Sequence, residues 1–149
     1  MKRIALFSLV ALLSLGSCKC LKDSVEAKAM GQSLSKEITE WQLVNMRGKD
    51  ITYAEDQNPV TIQLNPEANN VSGASGCNRY FGDFKFSGQG EISFGELNGT
   101  KMACPEPFMN LERQYMQTLR AVDHYIIEDN QLSLLQGEKV VLIYTQVRK

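Results

Sequence analysis

The sequence is poor in the residues that carry most enzymatic chemistry. Its 149 residues contain one histidine, His124, and one tryptophan. A lone histidine is seldom catalytic, because general acid–base catalysis and metal binding both require partner residues at defined positions. The chain also contains neither a phosphate-binding P-loop nor a dinucleotide-binding fingerprint. We therefore expect a non-enzymatic protein with no catalytic residues, no cofactor and no metal.

An excess of positive charge is also missing. The 16 basic and 17 acidic residues give a formal net charge of −1. A nucleic-acid-binding domain of this size would show a clustered basic surface and a basic balance. Nucleic acid is therefore not an expected partner.

Long apolar runs are confined to the N-terminus. Lys2 and Arg3 precede an apolar run from Ile4 to Leu15, which is well short of the ~20 residues needed to span a bilayer. A positive segment, an apolar segment and a small-residue exit form the layout of a secretory signal. The exit, Leu15-Gly16-Ser17-Cys18, resembles the lipobox of bacterial lipoproteins, in which the cysteine is acylated with fatty acids such as palmitate. The alternative is an ordinary signal peptide that happens to contain a cysteine.

These features divide the chain into three parts. Residues 1–17 are predicted to be a lipoprotein signal peptide, residues 18–35 a flexible tether lipidated at Cys18, and residues 36–149 a folded domain. The segment from Lys19 to Gln32 is polar and lacks aromatic residues, as expected of a linker, although a helix from Leu21 to Met30 is an alternative. Several acyl chains on one residue hold a protein firmly on a membrane. We expect a location in the bacterial cell envelope, with the outer membrane favoured over the inner.

The domain alternates short strand patterns with turn residues. Apolar residues recur at period two in Val60–Leu64 and Ile92–Phe94, which is typical of strands. The dipeptide Asn98-Gly99 is predicted to be a turn. From Phe108 to Val122 the apolar spacing changes to three or four residues, which predicts one amphipathic helix at about 106–121. The fold class is therefore mainly β (α+β), an antiparallel meander curled into a barrel-like sheet with one helix.

Two of the four cysteines, Cys77 and Cys104, fall inside the predicted domain. In an exported protein such a pair is a disulfide candidate. Two separate buried thiols are the alternative. A nucleophilic Cys77 would need a nearby base, and His124 is the sole histidine available.

The densest motif runs from Gly73 to Gly82 and reads GASGCNRYFG. Its glycines indicate tight turns or close backbone approach. Asn78 can hydrogen-bond the neighbouring backbone, and Arg79 is a charged group that could hold a carboxylate. A second motif, GTKMACP, covers Gly99 to Pro105 and leads into the helix.

Together the two motifs resemble the META domain family, which includes the heat-shock protein HslJ. The resemblance extends to Trp41-Gln42-Leu43 in the first strand, to Glu112 in the helix and to Leu132-Ser133-Leu134 near the end. It implies a small barrel-like β-domain with one helix, of a kind found in bacterial envelope proteins linked to stress response. No catalytic residues are established for the family. Cys77 and Cys104 match its motif cysteines, which favours a shared structural role.

We therefore expect a membrane-anchored, non-enzymatic envelope lipoprotein. It is predicted to act in stress response or envelope integrity by binding a protein partner. The alternative is a carrier of a small apolar ligand in the barrel interior. An interior filled by aromatic side chains would oppose this alternative, and an open cavity would favour it.

Overall fold

The computed structural model describes residues 38–55, 57–87 and 90–147. The predicted signal peptide, the tether and Cys18 lie outside the described residues. Within them are nine strands and one helix: β1 Thr39–Met46, β2 Lys49–Asp50, β3 Thr61–Asn65, β4 Asn70–Ala74, β5 Arg79–Phe86, β6 Ile92–Gly99, α1 Glu106–Arg120, β7 His124–Glu128, β8 Gln131–Gln136 and β9 Lys139–Gln146. The predicted class, mainly antiparallel β with one helix, is confirmed.

The strands form one antiparallel sheet in the order β6-β5-β4-β3-β1-β9-β8-β7, with β2 added to β1. Strands β3 to β6 and strands β7 to β9 are two meanders of consecutive neighbours. The first strand joins them, since β1 pairs with β3 along one edge and with β9 along the other. The connection from β6 through α1 to β7 therefore carries the chain from one end of the sheet to the other.

The sheet curls but does not close, so the predicted barrel is only partly realised. Its two end strands meet at one isolated bridge, Glu91 with His124. Two backbone hydrogen bonds flank this bridge, from Ile92 N to Asp123 O at 3.0 Å and from Tyr125 N to Gly90 O at 2.7 Å. Beyond it, β6 and β7 form no ladder. A closed barrel would require pairing along both strands, and the sheet remains open there.

The helix begins at Glu106 and ends at Arg120, one residue before the predicted end. Pro105 takes the N-cap position and Pro107 lies in the first turn, where a missing N–H removes no helical hydrogen bond. The helix buries Tyr115, Thr118 and Leu119 and contacts β6 and β9. Within the described residues, no helix has the length and apolar character required to cross a membrane.

Side chains from both meanders and the helix fill the inside of the curl. The largest fully buried residues include Phe84 from β5, Tyr115 from α1 and Tyr144 from β9. Phe84 also packs edge-on against Phe86, with ring centroids 4.7 Å apart, so these two residues share one face of β5. Burial of large side chains of this kind is the main favourable term in the folding of the domain.

Three buried tyrosines are linked by hydrogen bonds through the core. The Tyr80 hydroxyl donates to Thr61 O at 3.0 Å. It also lies 2.7 Å from the Tyr115 hydroxyl, to which Tyr144 donates at 3.2 Å. Because each hydroxyl has one proton, the chain of donation runs from Tyr144 through Tyr115 to Tyr80. The three tyrosine hydroxyls of the core are thereby paired, as most buried polar groups are, whereas the buried Trp41 Nε1 has no hydrogen-bond partner among the described residues.

One predicted turn is wrong. Asn98 and Gly99 belong to β6, where they pair with Phe81 and Tyr80. A Cβ at Gly99 would lie 2.8 Å from Arg79 O. Glycine is therefore required there for close approach of two strands, and not for a turn.

The buried tyrosines predict a delayed alkaline titration. Burial raises the pKa of Tyr53 to about 12 and raises the pKa of Tyr80, Tyr115 and Tyr144 above the ordinary value of 10.0. A tyrosine pKa that is raised by folding stabilises the folded state below pH ~10, and this stability is lost as pH rises toward the folded-state values. We expect phenolate absorbance at 295 nm and loss of circular dichroism to rise together above pH ~10.

The chain unfolded in guanidinium is the control, and its five tyrosines should titrate near pH ~10. If most of the tyrosines ionised near that pH while the circular dichroism stayed folded, the buried network would be contradicted.

Candidate functional site

The fold brings the two glycine- and cysteine-containing motifs together at the start of the helix. The first forms the loop between β4 and β5, and the second connects β6 to α1. Cys77 and Cys104 are joined by a disulfide, with their Cα atoms 6.0 Å apart and a sequence separation of 27. Chain-entropy arguments give such a loop closure about 3 kcal/mol of stabilisation. A sulfur held in this bond is not available as a nucleophilic thiolate.

Asn78 is buried and connects three segments of the chain. Its Oδ1 accepts hydrogen bonds from Thr100 Oγ1 and from Met102 N, both at 2.7 Å. Its Nδ2 donates to Glu112 Oε1 at 3.0 Å, and its backbone N donates to Glu112 Oε2 at 2.9 Å. An asparagine is required because the same side chain must accept on one side and donate on the other.

Glu112 holds the helix to this loop. Besides the two bonds from Asn78, its Oε2 lies 2.7 Å from Ser75 Oγ. The Ser75 hydroxyl is also 2.8 Å from the Asn78 carbonyl oxygen and donates its single proton to one acceptor at a time. No ion pair to Glu112 occurs among the described residues. Hydrogen bonds that involve an ionised carboxylate are stronger than neutral ones.

Sequence reasoning placed Glu112 by resemblance only and did not identify Ser75 and Thr100. A signal for Glu112 is present in the helix pattern, since it stands four residues after Phe108 and three before Tyr115. This spacing puts a carboxylate on the apolar face of the helix. Nothing in the sequence around Ser75 or Thr100 marks them as its partners.

Gly73 lies where two strands approach each other. A Cβ on this residue would clash with Thr61 O and would lie 2.8 Å from the Tyr80 hydroxyl. Glycine is the one residue without a Cβ and so permits this approach. The first motif therefore supports both the loop and the tyrosine network.

The two predicted interaction residues have different surroundings. Asn78 is 5% exposed and its side chain is used inside the fold, as described above. Arg79 points to the surface. Its backbone pairs with Thr100, through Arg79 N to Thr100 Oγ1 at 3.2 Å and Thr100 N to Arg79 O at 3.0 Å. Arg79 is therefore positioned by the same network while its guanidinium remains at the surface.

His124 lies on β7. Its Nδ1 is 2.8 Å from Asp123 Oδ1. This contact, followed by the N–H of Gly137, lowers the pKa of Asp123. The Asp123 carboxylate accepts the Gly137 N–H at 2.9 Å and thereby fixes the turn before β9. Across the described ranges, no three His, Cys, Asp or Glu side chains are grouped to hold a metal ion.

Two surface grooves flank Arg79. The first, here the apolar groove, has a volume of about 560 Å³ and runs along β3 to β5 past the disulfide; its walls include Pro59, Gly73, Ala74, Arg79, Phe81 and Met102. The second, here the basic groove, has a volume of about 340 Å³ and lies between the end of β6 and α1; its walls include Arg79, Lys101, Glu112, Arg113, Met116 and Arg120. Arg79 lines both grooves and stands between them.

The domain is a curled antiparallel sheet with one crossover helix, and a disulfide and an asparagine–glutamate contact attach the start of this helix to the sheet. The META domain profile matches residues 32–149, a range that contains both motifs. The chain belongs to the META domain family, and the family resemblance of its motifs is confirmed.

Two solved structures are similar to this chain. An NMR structure of a protein from Burkholderia xenovorans is 27% identical, with a TM-score of 0.62, and the match covers 76% of this chain and 85% of that one. A second NMR structure is 29% identical, with a TM-score of 0.56, and covers 72% and 87% respectively. No curated protein matches the chain.

The contact between Asn78 and Glu112 predicts energetic coupling between loop and helix. Asn78→Ala and Glu112→Ala should each lower the free energy of unfolding by about 2–4 kcal/mol, since each leaves buried polar groups unpaired. The double variant should lose less than the sum of the two, by about 1 kcal/mol or more. Chemical denaturation of the full chain measures all three.

Glu96→Ala is the matched control, because Glu96 is an exposed glutamate on β6 and should change stability by less than about 0.5 kcal/mol. Strict additivity of the two single variants would contradict a direct contact.

The disulfide predicts a specific labelling pattern. After alkylation of the unreduced protein, mass spectrometry should show Cys77 and Cys104 unlabelled and joined in one cross-linked peptide pair. Cys20, expected in the tether, is the control for labelling. Label on both domain cysteines would show two free thiols in place of a bridge.

Proposed function

We propose that this protein is a lipid-anchored component of the bacterial envelope, whose domain binds a protein partner through the apolar groove. Stress response or envelope integrity is the role that the family membership supports. The outer membrane is favoured over the inner, and the lipid is carried by Cys18. The proposed activity is binding and not catalysis.

The observation that carries this proposal is the exposure of two large apolar side chains in one groove. Phe81 is 58% exposed and Met102 is 60% exposed, and both line the apolar groove. Small residues, among them Gly73 and Ala74, lie along the same groove. Contiguous exposed apolar surface marks sites of protein interaction, and both aromatic residues and methionine are enriched in interface cores.

The groove is held rigid by the contacts beneath it. Phe81 follows Tyr80, whose hydroxyl is fixed in the core, and Met102 N is bonded to Asn78 Oδ1. A surface that is already ordered loses little conformational entropy when a partner binds. The motif network therefore supports binding indirectly, by fixing the walls of the groove.

The alternative function, transport of an apolar ligand inside the sheet, has less support. Phe84, Tyr115 and Tyr144 fill the inside of the curl and are each at most 1% exposed. The tyrosine hydroxyls there bond to one another and to the backbone. A ligand would have to displace these side chains, whereas the apolar groove is already accessible.

The proposal predicts that partner capture depends on the groove and not on apolar surface in general. Affinity purification of the tagged full chain from detergent-solubilised membranes should recover a defined envelope protein. Phe81→Thr combined with Met102→Ser should reduce recovery at least about tenfold, as expected when central apolar contacts are lost. Val140→Thr is the matched control, because Val140 is 38% exposed on β9, outside the grooves.

Cys18→Ser separates the anchor from the groove: it should release the protein from the membrane fraction yet preserve capture from solubilised membranes. Equal recovery by the groove variant and the unaltered chain, with unchanged circular dichroism, would overturn the proposal.

A further inference from the structure

The basic groove beside Arg79 concentrates positive charge on a chain whose formal net charge is −1. Four cationic side chains line it: Arg79, Lys101, Arg113 and Arg120. The one carboxylate in its wall, Glu112, has both oxygens occupied by Asn78 and Ser75. Cations gathered in a groove create a local potential that attracts negative charge.

Neighbouring acids do little to neutralise these cations. The ion pairs among the described residues are Arg113 with Glu106 at 3.7 Å and His124 with Asp123. The first is solvent-exposed, with the Arg113 and Glu106 side chains 57% and 76% accessible, and exposed pairs of this kind are weak. Arg79, Lys101 and Arg120 have no carboxylate partner in this part of the chain.

Two of the arginines are held in position by neutral groups. Arg120 Nη2 donates to Leu97 O at 3.2 Å, and Arg113 Nη2 donates to Asn110 Oδ1 at 3.2 Å. Each arginine retains further N–H donors, since a guanidinium carries five. The groove therefore presents oriented donors that suit carboxylates, which arginine binds in a bidentate manner.

The basic groove adjoins the apolar groove across Arg79. Both are lined by Asn78, Arg79, Tyr80 and Thr100. One extended segment could cross Arg79 and place apolar side chains against Phe81 and Met102 and acidic side chains in the basic groove. We propose that the partner presents such a segment, an extended stretch of acidic and apolar residues whose carboxylates bind in the basic groove.

This inference rests on the proposed function and adds the chemistry of the partner. A long polyanion fits the surface less well, because Asp83 and Glu96 line a neighbouring groove and would repel it. A flat anionic bilayer also fits less well, since the cations line a groove between a helix and a strand end. A short segment whose acidic residues are confined to the basic groove meets the cations and keeps its carboxylates away from Glu40, which lines the apolar groove.

A binding experiment with synthetic peptides tests the inference. The probe is a dye-labelled ten-residue peptide of five leucines followed by five glutamates, and its controls replace every glutamate by glutamine or by lysine. Fluorescence anisotropy with the purified full chain in neutral detergent should show the glutamate peptide binding at least about tenfold tighter than the glutamine peptide. Binding should weaken as salt rises from about 0.05 to 0.5 M.

Charge reversal identifies the groove. Arg79→Glu with Lys101→Glu should weaken the glutamate peptide at least about tenfold, since both side chains are exposed and their reversal repels the carboxylates. Lys85→Glu with Lys139→Glu changes the net charge equally at exposed positions outside the grooves and should have less than about a twofold effect. Equal weakening by both pairs would show a response to net charge and overturn the inference.

The remaining outcomes are equally decisive. Binding of phosphatidylglycerol vesicles that is lost in the Arg79 and Lys101 variant, with no binding of the glutamate peptide, would overturn the inference in favour of a membrane surface. If the Arg79 and Lys101 variant still captured the partner while the Phe81 and Met102 variant did not, the inference that the partner presents an acidic segment would be overturned. The proposed function would remain supported. If both variants captured the partner as well as the unaltered chain does, the inference and the proposed function would both be overturned.

Discussion

The hydrogen bonds between Asn78 and Glu112 are the contacts on which the arrangement of sheet and helix depends. The helix lies in the connection between the two end strands of an open sheet, so strand pairing alone does not fix its position. Near its start the disulfide and the Glu112 carboxylate attach it to the loop before β5. Further along, Arg47 Nε donates to Thr118 Oγ1 at 3.0 Å, and Tyr115 joins the buried hydroxyls.

The alternation of side chains from Asn78 into β5 separates the residues of the buried network from those of the proposed binding surface. Asn78 and Tyr80 point inward and are almost fully buried, whereas Arg79 and Phe81 point outward and are exposed. Successive residues of one strand necessarily face opposite sides. These four consecutive motif positions therefore alternate between the buried network and the proposed binding surface, and a substitution at one of the inward positions is expected to disturb the outward ones as well.

Much of the fold followed from the sequence because local patterns determine it. The apolar spacing from Phe108 to Val122 and the alternation in Val60–Leu64 each identify one element within a residue or two of its observed bounds. The pairing of β1 with β9 and the open side of the sheet did not follow. Both depend on contacts between distant segments, which no local period encodes. The prediction of a turn at Asn98-Gly99 is wrong for the same reason, because glycine at position 99 permits close approach of the neighbouring strand β5.

The candidate site divides in the same way. The motifs identify Asn78, Arg79 and both cysteines as candidate site residues, because the unusual spacing of glycines can be recognised from the sequence alone. Whether each side chain faces the core or the surface depends on strand register. The two grooves are formed by residues from separate segments of the chain, so they cannot be predicted from either motif alone. Phe81 and Met102 carry the proposed binding surface, yet apolar residues are unremarkable in a sequence until their exposure is known.

The central place of the first strand constrains the order in which the chain can fold. Leu43 in β1 pairs with Tyr144 in β9, about a hundred positions later in the chain. One edge of β1 therefore has no partner until β9 has been synthesised. Contacts between residues this far apart in sequence also form slowly. Until then, an apolar strand with unpaired backbone groups is open to other chains. In this topology the last strand supplies the missing partner of β1 and ends the exposure of that edge to other chains.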